Sequence, residues 1–321
     1  MYNYLRGKKI LVTGGAGFIG SHIVDKLVSA GANVVVLDNL SFGTLDNIKS
    51  CIDKIEFIKG DIRDENTLGE ALQGVELVSH QAALRSVPKS VGAPFEYHDV
   101  NVNGTLRLYI KAKELGIKRV VFASSSSVYG ERDKFPEKET DYPHPISPYA
   151  ASKLICEQYA YVFTKSYGVD VVSLRYFNVF GPRQSLENKY AVVVPKFITS
   201  LLKDETPPIY GNGEQSRDFT YIDDVVEANL SALVKEGAGG EVFNIAGGEP
   251  HSVNELLYLL KQIIGKDIEP EYLDPRPGDV YKTHACVSKA KKLLGWQQKI
   301  DFYEGLKRTA EWFKRQIANS G

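Results

Sequence analysis

Tyr149 and Lys153 have the types and the spacing of a base and a neighbouring cation on one face of a helix. A free phenol has a pKa of about 10, so a nearby ammonium must favour the phenolate before a tyrosine can accept a proton at neutral pH. Such a pair can take the proton of an alcohol. The spacing alone is weak evidence, because it occurs five times. The pairs are Tyr4/Lys8, Tyr109/Lys113, Tyr149/Lys153, Tyr161/Lys165 and Tyr303/Lys307.

The local sequence distinguishes Tyr149/Lys153 from the other four pairs. Ser147 is a suitable helix cap and Pro148 a suitable first helical residue, so Tyr149 falls in the first turn. The remaining pairs lie at the chain start, within helices remote from strand ends, or on the terminal helix. There, a packed ring beside a solvated amine is the simpler interpretation. The segment also follows ASSSSVYG at 123–130, whose hydroxyls can relay a proton to a tyrosine.

The elements that must position this pair are indicated by a regular alternation of apolar runs and helical segments. Helical spacing occurs, for example, at 18–31 and 101–116. Runs that are apolar at nearly every position predict parallel strands buried on both faces. With right-handed crossovers they predict an α/β fold with a doubly wound parallel sheet of the Rossmann type. The runs are 8–14, 32–38, 55–61, 75–80, 118–125 and 169–176.

The regular alternation of apolar runs and helical segments ends after residue 177. Beyond it, loops carry Gly and Pro and the predicted elements become shorter. We expect a Rossmann domain over 1–177 and a smaller α/β domain over 178–321, with some segments of the second returning to the first. The segment 301–317 has the spacing of an amphipathic helix and is expected to pack rather than to do chemistry. In an open parallel sheet, ligands bind at the carboxyl ends of the strands, which places the serine cluster in the crevice.

A glycine-rich turn joins the first predicted strand to the first predicted helix. Gly14, Gly17 and Gly20 fit the pattern G-x-x-G-x-x-G, in which residues without Cβ let a pyrophosphate approach the helix N-terminus. Asp38 ends the second strand. A carboxylate there accepts hydrogen bonds from ribose hydroxyls and repels a 2′-phosphate, which favours NAD over NADP. Asp61, after the third strand, is placed to reach the adenine.

The composition argues against several classes of protein. The 321 residues are 43% hydrophobic and 25% charged, which is ordinary for a globular protein, and the net charge of −1 gives no reason to expect nucleic acid or membrane partners. No apolar run approaches the roughly 18 residues of a membrane span, and no signal-peptide pattern is visible. Three separated cysteines predict a reduced, cytoplasmic protein, and the six histidines lack metal-ligand spacing.

Ten motifs follow one another along the chain: TGGAGFIGSH, DNLSFG, GDIRD, SHQAA, NVNGT, SSSSVYG, YAASK, RYFNVFGPRQ, SRDFTYIDD and RPGDV. Over essentially its whole length the chain resembles the extended short-chain dehydrogenases/reductases, and within them the nucleotide-sugar 4-epimerases. The resemblance implies C4 epimerisation of a UDP-hexose. A tyrosine takes the proton of the 4-hydroxyl while a hydride passes to NAD, and the hydride returns to the opposite face of a 4-keto sugar. NAD would stay tightly bound and be regenerated in each turnover.

The resemblance also implies roles for individual residues. The implied catalytic residues are Tyr149, Lys153 and Ser125, with Ser124 and Ser126 as alternatives to Ser125. The implied cofactor-binding residues are Gly14, Gly17, Phe18, Ile19, Asp38, Asn39, Asp61, Ile62, Gln81, Ala82, Ala83, Arg85, Asn101, Tyr149, Lys153 and Tyr176. The implied substrate-binding residues are Arg85, Ser125, Ser126, Tyr149, Asn178, Val193, Tyr210, Arg217, Arg276, Asp279 and Thr283. No metal is implied.

Two of these features bear on the substrate. Arg217 and Arg276 correspond to arginines that grip the diphosphate of the nucleotide sugar, which a guanidinium can bind in a bidentate way. Thr283 stands where some glucose/galactose-only relatives place a bulky tyrosine. The smaller residue predicts room for a 2-acetamido group, and so activity on UDP-GlcNAc and UDP-GalNAc as well as on UDP-glucose and UDP-galactose.

Other functions on the same scaffold stay open. Dehydratases of this kind typically carry Asp-Glu where the chain has Ser126 and Ser127, so elimination lacks its acid–base pair. A decarboxylase, a reductase and a non-catalytic NAD-binding sensor are the remaining alternatives, and the intact catalytic residues argue against the sensor. The family also implies a homodimer, formed through helices at 95–116 and 148–167.

Overall fold

The computed structural model describes residues 2–185, 193–275 and 280–320. The strands within these ranges are β1 Lys9–Thr13, β2 Asn33–Asp38, β3 Ile55–Lys59, β4 Leu77–His80, β5 Arg119–Ser125, β6 Asp170–Tyr176, β7 Val179–Phe180, β8 Pro208–Tyr210, β9 Ser216–Asp218, β10 Thr220–Tyr221, β11 Val242–Ile245, β12 Pro250–Ser252 and β13 Glu271–Leu273.

The α-helices in the same ranges are α1 Tyr2–Leu5, α2 Phe18–Ser29, α3 Glu65–Ala71, α4 Val87–Gly92, α5 Pro94–Tyr97, α6 Gly104–Glu114, α7 Pro148–Tyr167, α8 Val193–Leu202, α9 Ile222–Val234, α10 Val253–Ile264 and α11 Phe302–Ser320. Leu45–Lys54 and Ser126–Tyr129 form 3₁₀ turns, and His98–Asn103 and Ala290–Leu294 are π-helical. None of these helices is long and apolar enough to cross a bilayer.

The central sheet has seven parallel strands in the order β3–β2–β1–β4–β5–β6–β11. This confirms the predicted doubly wound, Rossmann-type fold. The order reverses between β1 and β4, so the crevice for a ligand lies at the carboxyl ends of these strands. The edge strand β11 comes from the second half of the chain. It was not predicted as a strand because it has only four residues and one of them, Asn244, is polar.

The core lies on both faces of this sheet. Along β1, Ile10 and Val12 point into one apolar layer and Leu11 into the other, as the two-residue period of a strand requires. Helices α2 and α9 cover the first layer, and α3, α6 and α7 cover the second. Because both faces are buried, every β1 residue from 10 to 13 is inaccessible to solvent, which explains the continuous apolar runs in the sequence.

Three two-stranded sheets lie outside the central sheet in the described part of the chain. β7 pairs with β10, and β8 with β13, in parallel; β9 and β12 are antiparallel. The terminal helix α11 packs against the first apolar layer through Phe302, Leu306, Ala310 and Phe313. β7 begins three residues after the end of β6 and pairs with β10, so these two strands lie just beyond the carboxyl end of β6.

Candidate functional site

The glycine-rich turn brings backbone close to backbone. Gly14 has a φ of +68°, and a Cβ there would lie 2.8 Å from the nitrogen of Ala82. A Cβ on Gly20 would lie 2.1 Å from the carbonyl oxygen of Gly14. Only glycine fits at these two positions, so the turn keeps an open cradle at the N-terminus of α2, which suits the pyrophosphate of a dinucleotide.

Asp38 ends β2 directly beside this turn. Its carboxylate accepts hydrogen bonds from the backbone N–H groups of Ala16 at 3.0 Å and Leu40 at 2.8 Å. Burial raises the pKa of Asp38, and these two N–H donors oppose the rise. Each carboxylate oxygen still has lone pairs for a further donor, so the group fits the predicted contact with ribose hydroxyls.

Asp61 follows β3 and is held by its neighbours. Arg63 binds both carboxylate oxygens at 2.9 Å, and Asn39 donates to one of them at 3.0 Å. The hydrogen bonds from Arg63 lower the pKa of Asp61 to about 2. The carboxylate is therefore ionised at neutral pH, and its predicted contact with the adenine stays a prediction.

A cavity of about 950 Å³ runs along the carboxyl edge of β1, β2 and β4. Predicted cofactor residues that line it are Gly14, Gly17, Phe18, Ile19, Asp38, Asn39, Asp61, Ile62, Gln81, Ala82, Ala83, Arg85, Tyr149, Lys153 and Tyr176. Asn101 does not line it. This side chain is buried behind the wall, where it bonds both backbone groups of Leu84 and donates to the hydroxyl of Ser152.

Tyr149 lies in the first turn of α7, as the sequence predicts. The Ser147 hydroxyl caps the helix by accepting the N–H of Ala150 at 3.2 Å, and Pro148 occupies the first turn. The Tyr149 ring packs edge-on against Tyr97, with 6.4 Å between the ring centroids. This cap and this contact fix the direction in which the phenol enters the cavity.

The groups around the Tyr149 phenol differ from the expectation. Burial raises its pKa, whereas the hydroxyl of Ser125 and the guanidinium of Arg85 lower it. Lys153 is not among the groups that lower it. Its ammonium lies 5.9 Å from the Tyr149 ring centroid and donates to the carbonyl of Ala123 at 2.8 Å.

Lys153 is buried at the bottom of the cavity. Burial lowers its pKa to about 8, and the neighbouring Cys156 and Glu157 oppose that change. The hydrogen bond to the end of β5 holds the ammonium beneath the ligand crevice. Lys153 is thus placed to contact a bound ligand as well as to influence the tyrosine.

Ser125 ends β5 and begins the 3₁₀ turn. Its hydroxyl oxygen accepts from the N–H of Ser127 at 3.2 Å and from the Ser127 hydroxyl at 2.9 Å. With both lone pairs used in this way, the Ser125 O–H is oriented to donate elsewhere. β5 pairs with β6 so that Ser125 is opposite Tyr176, which brings the serine to the same edge as the cavity.

The substrate residues predicted in the second half of the chain form a separate group. The side-chain nitrogen of Asn178 donates to the hydroxyl of Thr283 at 3.0 Å, and the N–H of Asp218 donates to the same oxygen at 3.1 Å. Arg217 is next to Asp218 on β9, and the carbonyls of Ser216 and Tyr281 orient its guanidinium. Residues far apart in sequence therefore meet beyond the end of β6.

The other predicted substrate residues are dispersed. Tyr210 ends β8 and is half-buried, and Val193 begins α8, where it packs against the core. Ser126 lies in the 3₁₀ turn beside Ser125. Arg276 and Asp279 lie outside the described residues. Among the described residues no group of His, Cys, Asp and Glu could hold a metal ion.

Some cavity residues were not predicted from the sequence. Trp312 and Ile317 of α11 line the cavity, as do Phe42 and Thr44 from the loop after β2. The amphipathic pattern of the terminal helix indicates only that one face is buried. Whether the terminal helix lies beside the cofactor depends on contacts between distant segments, which the local sequence does not indicate.

Two buried carboxyl groups near the substrate residues predict a pH-dependent stability. Glu137 and Asp218 are at most 1% exposed, and burial raises the pKa of each to about 7. Their values in the unfolded chain are about 4, so between these limits the folded protein binds more protons than the unfolded chain. The free energy of unfolding should therefore fall by roughly 4 kcal/mol as the pH rises from 5.5 to 8, about 2 kcal/mol from each group.

Urea unfolding at several pH values measures this fall. Glu137→Gln, which cannot ionise, should flatten the dependence relative to the unmodified protein. A stability that rises over this pH range, or an unchanged slope in the variant, would contradict the prediction.

The fold and the cavity define a dinucleotide-binding enzyme scaffold. Residues 10–246 match the model of the NAD dependent epimerase/dehydratase family, so the chain belongs to that family. NAD is its cofactor, as predicted, and the resemblance to the extended nucleotide-sugar epimerases is confirmed. The residues that would hold NAD are those of the glycine cradle and the cavity wall described above.

Three solved structures show how far the similarity extends. The UDP-glucose 4-epimerase of Thermotoga maritima, solved with UDP-glucose, is 44% identical with a TM-score of 0.92, covering 96% of this chain and 99% of that one. The UDP-N-acetylglucosamine 4-epimerase of Methanobrevibacter ruminantium M1, solved with UDP-N-acetylmuramic acid, is 43% identical with a TM-score of 0.93, covering 97% and 99%. The UDP-glucuronic acid 4-epimerase of Bacillus cereus, solved with UDP-glucuronic acid and NAD, is 35% identical with a TM-score of 0.89, covering 96% and 99%.

Proposed function

We propose that the protein is an NAD-dependent UDP-sugar 4-epimerase that acts on UDP-glucose and UDP-galactose and on their N-acetylated counterparts. The observation that carries this proposal is the position of Tyr149. Tyr149 lines the same cavity as the glycine turn. The Ser125 hydroxyl and the Arg85 guanidinium lie close enough to its phenol to lower the pKa of that group. Similar chains solved with UDP-sugars support the substrate class.

In this proposal Tyr149 is the base for the 4-hydroxyl of the sugar. NAD⁺, when bound, supplies the acceptor that takes a hydride from C4 and gives it back. Ser125 donates toward the reacting oxygen and passes the proton between the sugar and the phenol. After the 4-keto sugar has turned, Tyr149 returns the proton, so the product differs only in its configuration at C4 and nothing is oxidised overall.

The turn after β5 supports epimerisation over elimination. A 4,6-dehydratase must remove a C5 proton and protonate the C6 hydroxyl, which requires an acid and a base next to the sugar. Ser126 and Ser127 occupy the 3₁₀ turn where such a pair would stand, and a serine hydroxyl near neutral pH does neither task. Without this acid–base pair, elimination from the 4-keto sugar is not catalysed, and hydrogen returns to C4.

The second group of residues is proposed to bind the nucleotide sugar. Arg217 would grip the diphosphate, since backbone carbonyls hold its guanidinium in a fixed orientation. Asn178 and Thr283 lie between this arginine and the end of β6, and would contact the sugar. Tyr210 would contact the uracil, Asp279 the ribose and Arg276 the diphosphate.

Product analysis by NMR tests the proposal. Purified protein is incubated without added NAD, in separate tubes, with UDP-glucose, UDP-GlcNAc and UDP-glucuronic acid. We expect the 4-epimer of the first two sugars, formed without a lag. A 4-keto-6-deoxy product would contradict the proposal in favour of a dehydratase. Conversion of UDP-glucuronic acid alone would contradict the proposed substrates and identify UDP-glucuronic acid as the substrate instead.

A homodimer and a cytoplasmic location complete the proposal. Exposed apolar side chains occur on the helices that the family resemblance implies for the dimer: Phe95 is 90% exposed, Ile110 and Val162 41% each, and Tyr161 53%. A second copy of the chain would cover them. Sedimentation at micromolar concentration should give twice the mass of the chain, and a single-chain mass would contradict the dimer.

A further inference from the structure

Tyr97 is a buried tyrosine beside the cofactor cavity. It is the last residue of α5, and 4% of its surface is exposed. It is not one of the residues that line the cavity, so it is not placed to touch a ligand there. Its ring and its hydroxyl instead contact two different parts of the cavity wall.

The ring of Tyr97 contacts the proposed base. It meets the Tyr149 ring edge to face, with 6.4 Å between the centroids and 87° between the ring planes. Such a contact between aromatic rings is favourable and directional. Because the Ser147 cap fixes the backbone at the start of α7, the Tyr97 ring then determines where the phenol of Tyr149 lies.

The hydroxyl of Tyr97 holds the backbone beside Arg85. It accepts the N–H of Ser86 at 3.1 Å, and Ser86 is the residue after Arg85. Within residues 2–185, 193–275 and 280–320, no ion pair holds the Arg85 guanidinium, so its position depends on this backbone. The guanidinium lines the cavity and favours the phenolate form of Tyr149.

The residue before this arginine is held from the same helical stretch. Asn101 accepts the N–H of Leu84 at 2.8 Å and donates to its carbonyl at 3.0 Å. Asn101 also donates to the Ser152 hydroxyl at 2.9 Å, which donates to the carbonyl of Tyr149 at 2.7 Å. Tyr97 and Asn101 are one helical turn apart, so this stretch joins the segment 84–86 to the first turn of α7.

We infer that Tyr97 is a positioning residue that holds the guanidinium of Arg85 next to the base Tyr149. The inference rests on the proposed function, in which Tyr149 accepts the proton of the 4-hydroxyl. One side chain thereby arranges two groups, the base through its ring and the cation through its hydroxyl. The proposed proton transfer then depends on a residue that does not touch the sugar.

The groups around the Tyr149 phenol determine the sign of the expected effect. Burial disfavours the phenolate, whereas the Ser125 hydroxyl and the Arg85 guanidinium favour it. The Lys153 ammonium lies 5.9 Å from the ring centroid and donates to a carbonyl of β5. Tyr97 would repel the phenolate only if it were itself ionised, and burial raises the pKa of Tyr97, so it is neutral near pH 7.

The Tyr97→Phe variant removes the hydroxyl and keeps the ring. The N–H of Ser86 then has no acceptor, Arg85 is held less firmly, and the pKa of Tyr149 should rise. The acidic limb of the pH profile of kcat/KM should therefore move to higher pH by about 0.5 to 1 unit. The KM for UDP-glucose should change by about twofold or less, because Tyr97 does not line the cavity.

A double variant shows whether the hydroxyl acts through the arginine. Arg85→Gln should move the same limb in the same direction. Adding Tyr97→Phe to Arg85→Gln should move it little further, since the group that the hydroxyl positions is already absent. Shifts of the two variants that add together would overturn the inference.

Tyr109→Phe is the matched control. Tyr109 lies on α6, is 0% exposed, and its hydroxyl has no hydrogen-bond partner in the described part of the chain. Loss of this buried hydroxyl should leave the pH profile unchanged. An unchanged profile in Tyr97→Phe, or an equal shift in Tyr109→Phe, would also overturn the inference.

Direct titration separates this inference from the proposed function. The pKa of Tyr149 is measured without turnover, from the ultraviolet absorbance of tyrosinate, as the difference between each protein and its Tyr149→Phe counterpart. A higher pKa in Tyr97→Phe, with no sugar turned over by the unmodified protein, would support the inference and contradict the epimerase proposal. Epimer formation with the same phenol pKa in both proteins would support the epimerase and overturn the inference.

Discussion

Replacing Tyr149 by phenylalanine is expected to lower kcat by a factor of about 10² to 10⁴ while the protein stays folded. The change removes one oxygen atom and keeps the ring that packs edge-on against Tyr97. Without the phenol oxygen, the 4-hydroxyl loses the group proposed to accept its proton. KM should change much less than kcat, since the lost interaction involves the reacting oxygen rather than the nucleotide.

Tyr161→Phe is the matched control for this experiment. Tyr161 lies on the same helix, has Lys165 over its ring at 5.6 Å from the centroid, and is on the face proposed for the dimer rather than among the residues that line the cavity. Tyr161 and Lys165 therefore have the same four-residue spacing as Tyr149 and Lys153, but Tyr161 does not line the cavity. Initial rates of 4-epimer formation should be unchanged in this variant. Full activity of Tyr149→Phe, or equal losses in both variants, would contradict the assignment of Tyr149 as the base.

Replacing Glu157 by glutamine is expected to reduce the free energy of unfolding by about 3 to 5 kcal/mol. Glu157 and Arg175 are each 3% exposed and form a two-pronged ion pair, with nitrogen–oxygen distances of 2.9 and 2.7 Å. In the variant, the amide nitrogen would face an arginine N–H, donor against donor. The buried guanidinium would also lose the charge that compensates it.

The same pair connects α7, which carries Tyr149, to the strands β5 and β6. The Ser124 hydroxyl donates to Glu157, and the Arg175 guanidinium lies over the ring of Tyr129, 4.6 Å from its centroid. The Tyr129 hydroxyl in turn donates to Asn244 of β11 at 2.7 Å. Loss of the pair should therefore also lower the rate of epimer formation, because Ser124 precedes Ser125 on β5.

Urea unfolding of Glu157→Gln measures the stability effect. The control is Glu114→Gln, which breaks an exposed pair with Lys111 and should change the free energy of unfolding by about 0.5 kcal/mol or less. Replacing both partners by apolar residues, Glu157→Leu with Arg175→Met, should recover much of the lost stability. A loss below about 1 kcal/mol in Glu157→Gln would mean that the pair does not stabilise the fold.

The features that could be predicted from the sequence are the local ones. The six strands were recognisable because strands buried on both faces need apolar side chains at nearly every position. The glycine turn was recognisable because a Cβ on Gly14 or Gly20 would collide with backbone. Ser147 and Pro148 predicted the start of α7 through capping and a fixed φ, and hence the position of Tyr149.

The features that could not be predicted depend on contacts between distant segments. Thr283 and Asn178 are 105 residues apart, and neither sequence context indicates that one donates to the other. Glu157 and Arg175 have no spacing that distinguishes them from surface charges. The pKa of Lys153 is lowered by burial, which the sequence does not give at a single position. Such contacts become visible only once the sheet order is known.

The fate of the hydrogen on C4 distinguishes oxidation and reduction at this carbon from its deprotonation. UDP-glucose carrying deuterium at C4 is incubated with the protein in ordinary water, and the product is analysed by NMR and mass spectrometry. Return of the same hydrogen within one active site predicts UDP-galactose that retains the deuterium at C4. Loss of the deuterium to solvent would show that C4 is deprotonated instead, and would contradict epimerisation by oxidation and reduction in this cavity.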